Sequence, residues 1–523
     1  MSDNLEIFGL RYPNIDGIKA IDENGNELTY SRYPIEIPGE PDPTPVKFID
    51  YDGTVLYSYS AADFLALSAM PANPSHSGLV AQGWNWELTD AQAYVSGNGS
   101  LVVGQLYTTS SGATEIDIDL SLAPFATSLY LALAVNGSVS INWGDGSAAG
   151  SLSGTSLTTT KYISHTYSTV GNYTITVTEQ SGSYCFYLGN YACIINAIGS
   201  ASSSELSRAK AWAAIITAIR TGAGLSTIGN FDFKHLCNVE YITVHANVTT
   251  ANYTFEFTNC YSLLALVCPP GLTKLPACPN CYSMGYVSLN KGAVIDYTNA
   301  FSGCSSLLTL CFPPGTATLS DNVCANCYSL RSAILPYGIT SISAAFVNCY
   351  ALQSITLPGS ITSLSGTFNG APLRTIILPS SLQTLGAYTF KSSCAETVVV
   401  PEGVTALGEE CLRYGMFISI SLPSTLQTIG SYSLGDQRRL THITIPAQVT
   451  TLSSNAFYNS PMIREYHFLP VVPPSIQSNT FSGIGGSAVI YVPYSSDHSI
   501  LNAYKTATNW ATHASKIVEE PND

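Results

Sequence analysis

The sequence predicts a mainly β, multidomain protein: small α+β N-terminal modules, a β-sandwich, and a repeat solenoid with helical caps. Three observations lead there. A short apolar strand closed mostly by proline recurs every 21 to 24 residues through the second half of the chain. Before it, between about Thr114 and Val177, apolar and polar residues alternate with the period of a strand. Between Ile37 and Pro45 lie Pro38, Pro41, Pro43 and Pro45, the composition of an extended spacer.

Composition bounds the function. The 523 residues carry 20 basic and 35 acidic side chains, a net charge of −15. Charged residues make up only 11% of the chain, yet 46% is hydrophobic, ample for a packed core. Phosphate binding requires concentrated positive charge, which this acidic chain lacks, so no nucleic-acid partner is expected. No apolar run approaches the roughly 18 residues of a spanning helix, so no membrane insertion is expected. The opening MSDNLEIFGLRYPNIDGIKA shows no basic leader, apolar run or cleavage site, which reads as synthesis in a cytoplasm without an export signal.

In chain order, residues 1–37 read as an N-terminal attachment unit and 38–45 as the Pro-rich linker. Residues 46–112 read as an α+β module. Within it, VKFIDYDGTVLYSYS alternates around the turn pair Asp52-Gly53, and helices are expected over Ser60–Ala69 and Leu88–Val95. Residues 113–180 are expected to be the sandwich. In 181–236, Ser203–Arg220 places Leu206, Ala209, Trp212, Ala213, Ile216 and Ile219 on one helical face, a capping helix ahead of the repeats.

Residues 237–523 form the solenoid with a C-terminal cap. The closing residues, or anchors, are Pro269, Asn290, Pro313, Pro336, Pro358, Pro379, Pro401, Pro423, Pro446 and Pro470. Three residues before each stand Leu266, Val287, Leu310, Ala333, Ile355, Ile376, Val398, Ile420, Ile443 and His467. One residue before stand Cys268, Leu289, Phe312, Leu335, Leu357, Leu378, Val400, Leu422, Ile445 and Leu469. These positions share one face of a strand, because side chains alternate with period two. A unit this short cannot bury that face alone, so successive coils stack into one core. Ten coils at the strand spacing would extend about 48 Å.

Two stretches carry a family resemblance. Trp143-Gly-Asp-Gly-Ser147, His165-Thr-Tyr167 and Gly171-Asn-Tyr-Thr-Ile-Thr-Val177 resemble a polycystic-kidney-disease (PKD) domain, which implies an Ig-like sandwich serving as spacer or adhesion module. Leu352-Gln-Ser-Ile-Thr-Leu-Pro358, Ile361-Thr-Ser-Leu364 and Phe368 are similar to the BspA-like leucine-rich repeats of bacterial surface antigens. The ending Val489-Ile-Tyr-Val-Pro493, Tyr504-Lys and Asn509-Trp510 looks like that family's C-terminal cap. Phe8-Gly-x-Arg-Tyr-Pro-Asn14, Ile18-Lys-Ala-x-Asp22 and Phe48-Ile-Asp-Tyr-Asp-Gly-Thr-Val-Leu-Tyr57 resemble segments of virion proteins of gut-bacterial phages and prophages.

The candidate sites are few. Cys278-x-x-Cys281 and Cys324-x-x-Cys327 have the look of a zinc site. However, Cys260, Cys281, Cys304, Cys327 and Cys349 all lie nine residues before an anchor, so a buried ladder of small side chains is expected, with no metal and no cofactor. Beside it run Tyr261, Tyr282, Tyr328 and Tyr350, interrupted by Ser305. If exposed, this row could stack on sugar rings or pack on a partner. Trp84 and Trp86 are a second candidate binding pair, against the reading that they are core. Asp145 is first a turn former. Glu409 and Glu410 are neighbours, not an opposed pair able to flank a glycosidic bond, so no catalytic residues are assigned and no enzyme is expected.

The expectation is a non-enzymatic phage virion surface protein, a head fibre or decoration or a tail-associated fibre, assembled in the host cytoplasm. Its partners would be other virion proteins through the N-terminal unit, and host-surface or mucus glycans through a multicopy or oligomeric solenoid. The alternatives are a bacterial cell-surface adhesin and, third, a polysaccharide-degrading virion enzyme.

Overall fold

The computed structural model describes residues 42–122, 128–186, 213–225, 233–248, 257–272, 276–292 and 298–522, together with four short strands nearer the N-terminus. The chain divides into two compact units, Met1–Asp42 and Pro43–Asp523. In the first, β1 (Leu5–Ile7) pairs antiparallel with β2 (Leu10–Tyr12), and β3 (Ala20–Ile21) with β4 (Glu27–Leu28). Parts of Phe8–Asn14 and Ile18–Asp22, the prolines at 38 and 41, and Leu206, Ala209 and Trp212 lie outside the described residues.

The second unit begins with the hairpin of β5 (Val46–Ile49) and β6 (Val55–Tyr59), turning at Gly53 with φ of 85°. Helix α1 (Ala61–Leu65) starts where the Ser60 hydroxyl accepts from the Asp63 amide, satisfying one of the free donors of the first turn. After β7 (Leu79–Trp84), α2 (Leu88–Asn98) ends at Gly99 in the left-handed conformation, and β8 (Leu101–Thr109) completes a sheet of order β6-β5-β8-β7.

This module does not project as an upstream spacer. Its core is continuous with Ala265, Val267, Tyr286 and Cys311 of the solenoid. Gly104 permits the approach, because a Cβ there would stand 2.5 Å from the Val267 methyls.

The region expected to be the sandwich is one sheet by its strand pairing. Here β9 (Thr114–Asp119), β10 (Ser128–Asn142), β11 (Gly150–Thr166), β12 (Asn172–Phe186), β13 (Ile216–Arg220) and β14 (Tyr241–Thr243) form one six-stranded sheet, of order β11-β10-β12-β9-β13-β14. No second sheet closes over it among the described residues. The sheet bends back over itself: Trp143, just past the end of β10, stacks on His165 at 4.7 Å and its carbonyl accepts from Tyr167, although His165 pairs with Leu129 at the start of β10. Its apolar residues are also continuous with the core of the coils.

The helix expected to run to Arg220 is likewise replaced at its end by β13. That strand pairs antiparallel with β9 and parallel with β14, and so leads the sheet into the coils. Ile216 and Ile219 fit a pleated strand as well as a helix face, and pairing decides between them. Arg220 locks the choice, bonding Glu115 at 2.9 Å and Asp117 at 2.5 Å across the β9 strand.

Most coils contribute a strand before the anchor, those ending at Pro358 and Pro379 excepted, and most contribute a second short strand. Those before the anchors pair in parallel, as in Ala265–Val267, Tyr286–Ser288, Thr309–Cys311 and Ser332–Ile334. The second strands form an eight-stranded parallel sheet from Thr318–Leu319 to Ser475–Ile476. Between the two faces, Phe346, Phe368 and Phe390 stack at 5.7 and 5.6 Å.

The last anchor falls one residue earlier than the proline suggests. Ile443 registers with Tyr466 and Ile445 with Phe468, so Tyr466 and Phe468 point inward, and His467 and Leu469 do not. Beyond it, Tyr504 on the helix Ser499–Thr506 and Trp510 are buried over the final coils, bonding the carbonyls of Pro470 and Pro474.

Candidate functional site: an exposed tyrosine row

The row is built by a three-residue step, Asn-Cys-Tyr in most of these coils. Asn259, Asn280, Asn326 and Asn348 adopt φ between 57° and 63°, the left-handed region in which asparagine is among the best tolerated side chains. The same place is held by His235, Gly303, Gly370, Ser392, Tyr414, Asp436, Asn459 and Gly483, all with positive φ. The asparagines also bond one another from coil to coil. Asn280 Nδ2 donates to Asn259 Oδ1, and Asn348 Nδ2 to Asn326 Oδ1, each at 2.9 Å. Sequence reasoning missed this ladder, although the repeated Asn before Cys was its signal.

The next residue turns inward. Cys260, Cys281, Cys304, Cys327 and Cys349 are fully buried, and each thiol donates to a carbonyl of the preceding coil: Phe233, Phe257, Cys278, Phe301 and Cys324. Burial pushes the Cys281, Cys327 and Cys349 thiols above their ordinary range, which keeps them protonated donors. Later coils fill the role with other donors. Gln437 Nε2 reaches the Leu412 carbonyl and Ser460 Oγ that of Leu434. A small or slender donor suits the position, which Ala371 and Gly415 fill without one.

The residue after cysteine then points outward. Tyr261, Tyr282, Tyr328 and Tyr350 are 41%, 46%, 47% and 48% exposed. They stand in two stacked pairs: Tyr261 on Tyr282 at 5.1 Å, and Tyr328 on Tyr350 at 5.3 Å, each 6° from parallel. Ser305 separates the pairs and donates to the Tyr282 carbonyl at 3.2 Å. Desolvation and the neighbouring Tyr282 raise the Tyr261 phenol above its ordinary range, so it keeps its proton. The row offers aromatic faces for ring stacking and phenol hydroxyls for hydrogen bonding.

Trp84 and Trp86 are not a binding pair. They are 8% and 5% exposed, and their indole N–H groups are committed to the carbonyls of Pro71 and Leu289. Trp84 closes its strand and packs on Phe48 at 4.8 Å, and Trp86 lies just beyond the strand against Tyr94 at 5.4 Å, so both indoles belong to the core. Asp145 is a turn carboxylate. A hydrogen bond from Ser147 first, then His165, hold it down to about 2, while His165 stacks on Trp143 at 4.7 Å. Glu410 is held by Lys391 at 2.5 Å and Arg413 at 2.7 Å.

One further feature escaped sequence reasoning. Gln353, Pro372, Arg374, Cys394 and Glu396 line an open cavity of about 400 Å³. Its signal was the end of the tyrosine row, where Tyr350 is followed in the next coil by Ala371 and Pro372.

Comparison with known proteins bears on the repeats. The family model described as BspA type leucine rich repeat region matches residues 182–278, 226–344, 277–397 and 364–486. Among solved structures, the chain is similar to a leucine-rich repeat protein from Bacteroides ovatus, with 17% identity, 58% of this chain and 84% of that chain covered, and a TM-score of 0.45. It is similar also to a leucine rich cell surface protein from Faecalibacterium prausnitzii (18% identity, 55% and 87% covered, TM-score 0.31). A third is the pneumococcal vaccine antigen PcpA (13% identity, 57% and 78% covered, TM-score 0.33). No curated protein matches the chain.

Proposed function

The chain belongs to the BspA-type leucine-rich-repeat family, and from that premise we propose that it is a non-enzymatic adhesin of the bacterial cell surface that holds host-surface or mucus glycans. The observation that carries this reading is the exposed tyrosine row, whose rings stack at 5.1 and 5.3 Å along the solenoid. A sugar ring presents an apolar face of similar size, and hydroxyls at its rim meet the phenols. Single contacts of this kind are weak, and repetition along one row and over many copies raises the avidity.

The test is binding of the full chain to immobilised mucin. Replacing Tyr282 and Tyr328 together by Ala is expected to weaken it about tenfold or more, with folding unchanged because both rings lie outside the core. Unchanged binding would exclude the row as the adhesive surface. Incubation with mucin or capsule should release no soluble sugar, and release would overturn the non-enzymatic reading.

A second carrier is favoured by a separate observation, the likeness of Phe8–Asn14, Ile18–Asp22 and Phe48–Tyr57 to phage virion segments. In that case the N-terminal unit docks on other virion proteins and the same solenoid faces the host. Peptide mass spectrometry of density-purified particles beside the washed cell envelope separates the two. Stoichiometric recovery in particles supports the virion, and recovery only in the envelope supports the cell surface.

A further inference from the structure

The cavity at the end of the tyrosine row has the parts of a selective site. Its lining comes from two places in the repeat: Pro372 and Cys394 lie seven residues before their anchors, and Gln353, Arg374 and Glu396 lie five before theirs. Tyr350 is on the same coil as Gln353, three residues earlier, and is 48% exposed. The next coil offers no ring to continue the stack, because Gly370, Ala371 and Pro372 stand where Asn348, Cys349 and Tyr350 stand in the coil before. One coil spacing, about 5 Å, is the separation at which a further ring would stand.

The polar groups there are unequally satisfied. Glu396 is paired with Arg439 at 3.0 Å. Arg374, by contrast, has no carboxylate within ion-pair distance among the described residues. Gln353 Oε1 is buried and has no donor. In a chain of net charge −15, an uncommitted guanidinium in a cavity selects for an anion, and its planar fork suits a carboxylate. The orphaned amide oxygen calls for a hydroxyl donor.

We propose that this cavity binds a sugar ring bearing a carboxylate, a sialic or uronic acid residue of a glycan. The carboxylate sits on the Arg374 guanidinium, a ring hydroxyl donates to Gln353 Oε1, and Tyr350 flanks the ring where the tyrosine row ends. The inference rests on the glycan-adhesion reading and adds its specificity: the tyrosines supply general contact, and Arg374 chooses the acidic sugar.

The experiment titrates the full chain with 3′-sialyllactose, trigalacturonate and neutral lactose by calorimetry. At least one acidic sugar is expected to bind about tenfold more tightly than lactose. Arg374→Gln, a change at an exposed position, should reduce that preference to within about twofold. A sialyl preference points to host glycans and a galacturonate preference to uronate polymers, and either supports the site. An independent readout is alkylation of Cys394, the one described cysteine exposed to solvent. Saturating acidic sugar should slow it in the wild type and not in Arg374→Gln.

Equal affinity for acidic and neutral sugars overturns the cavity and leaves tyrosine-mediated adhesion standing. So does a preference that survives Arg374→Gln, or Cys394 alkylation unaffected by bound acid. Failure of the wild type to bind any of these sugars or mucin overturns the glycan reading as well.

Discussion

Val267 and Val399 occupy the same place in the repeat, two residues before their anchors and pointing away from the solenoid core, yet one is 5% exposed and the other 65%. The α+β module makes the difference. Over the early coils it supplies apolar surface and side-chain donors, with Asn85, Trp86 and Tyr94 bonding the carbonyls of Cys268, Leu289 and Phe312. Those are the residues one before the anchor in three successive coils, so the module reads the repeat as a regular lattice. Over the later coils nothing described covers the same face, and the outward positions turn mainly to Thr, Ser and His, as at Thr397, Ser419, Ser421, His442 and Thr444. Inward positions answer to the coil, and outward ones to whatever lies on them.

The sharpest way to break this comparison is to place one charge at both sites. Val267→Asp buries an unpaired carboxylate under the module and should cost about 3 kcal/mol or more. Val399→Asp meets water and should stay within about 0.5 kcal/mol. Denaturant midpoints decide, and equal losses would mean that the module is not seated on these coils.

A smaller effect tests whether the inward ladder is a donor position. Cys327→Ala removes the bond to the Phe301 carbonyl and should cost about 1 kcal/mol. Cys327→Ser keeps a donor, as Ser460 does naturally, and should cost less. A serine variant worse than alanine would reject the hydrogen-bond account. Zinc should shift the unfolding midpoint of neither.

The smallest effect concerns the sheet before the coils. The Asp145 carboxyl, held down to about 2 by Ser147 and His165, is depressed in the folded state. Its contribution is therefore complete above the ordinary carboxyl value of about 4, and is lost as pH falls from there toward 2. Asp145→Asn should flatten that limb of the melting curve by roughly one or two degrees, since the group is largely solvated. An unchanged acid limb would show that the turn does not depend on the charge.

Much of the coil was legible in advance. The anchors, the inward pair before them and the cysteine ladder follow from period alone, because a short unit has one way to bury its apolar residues. The tyrosine row was legible for the same reason, as the residue following an inward cysteine. Less visible were the features that depend on neighbours far away in the chain. Trp84 and Trp86 gave no sign of which surface would receive them, and Ile216–Arg220 suits either a helix or a strand. The final anchor slipped because a proline stood one residue beyond the position that stacking required.

Taken by itself, the sequence determined the repeat, its inward faces and the residue types that line them, since periodicity and side-chain chemistry act locally and recur many times. Tertiary structure alone decided which stretch of the outward face is covered, that the early sheet runs on into the coils through β13 and β14, and that Gln353, Arg374 and Cys394 share one cavity. Each of these is a contact between segments far apart in the chain, where a favourable surface finds its partner only after the coils have stacked.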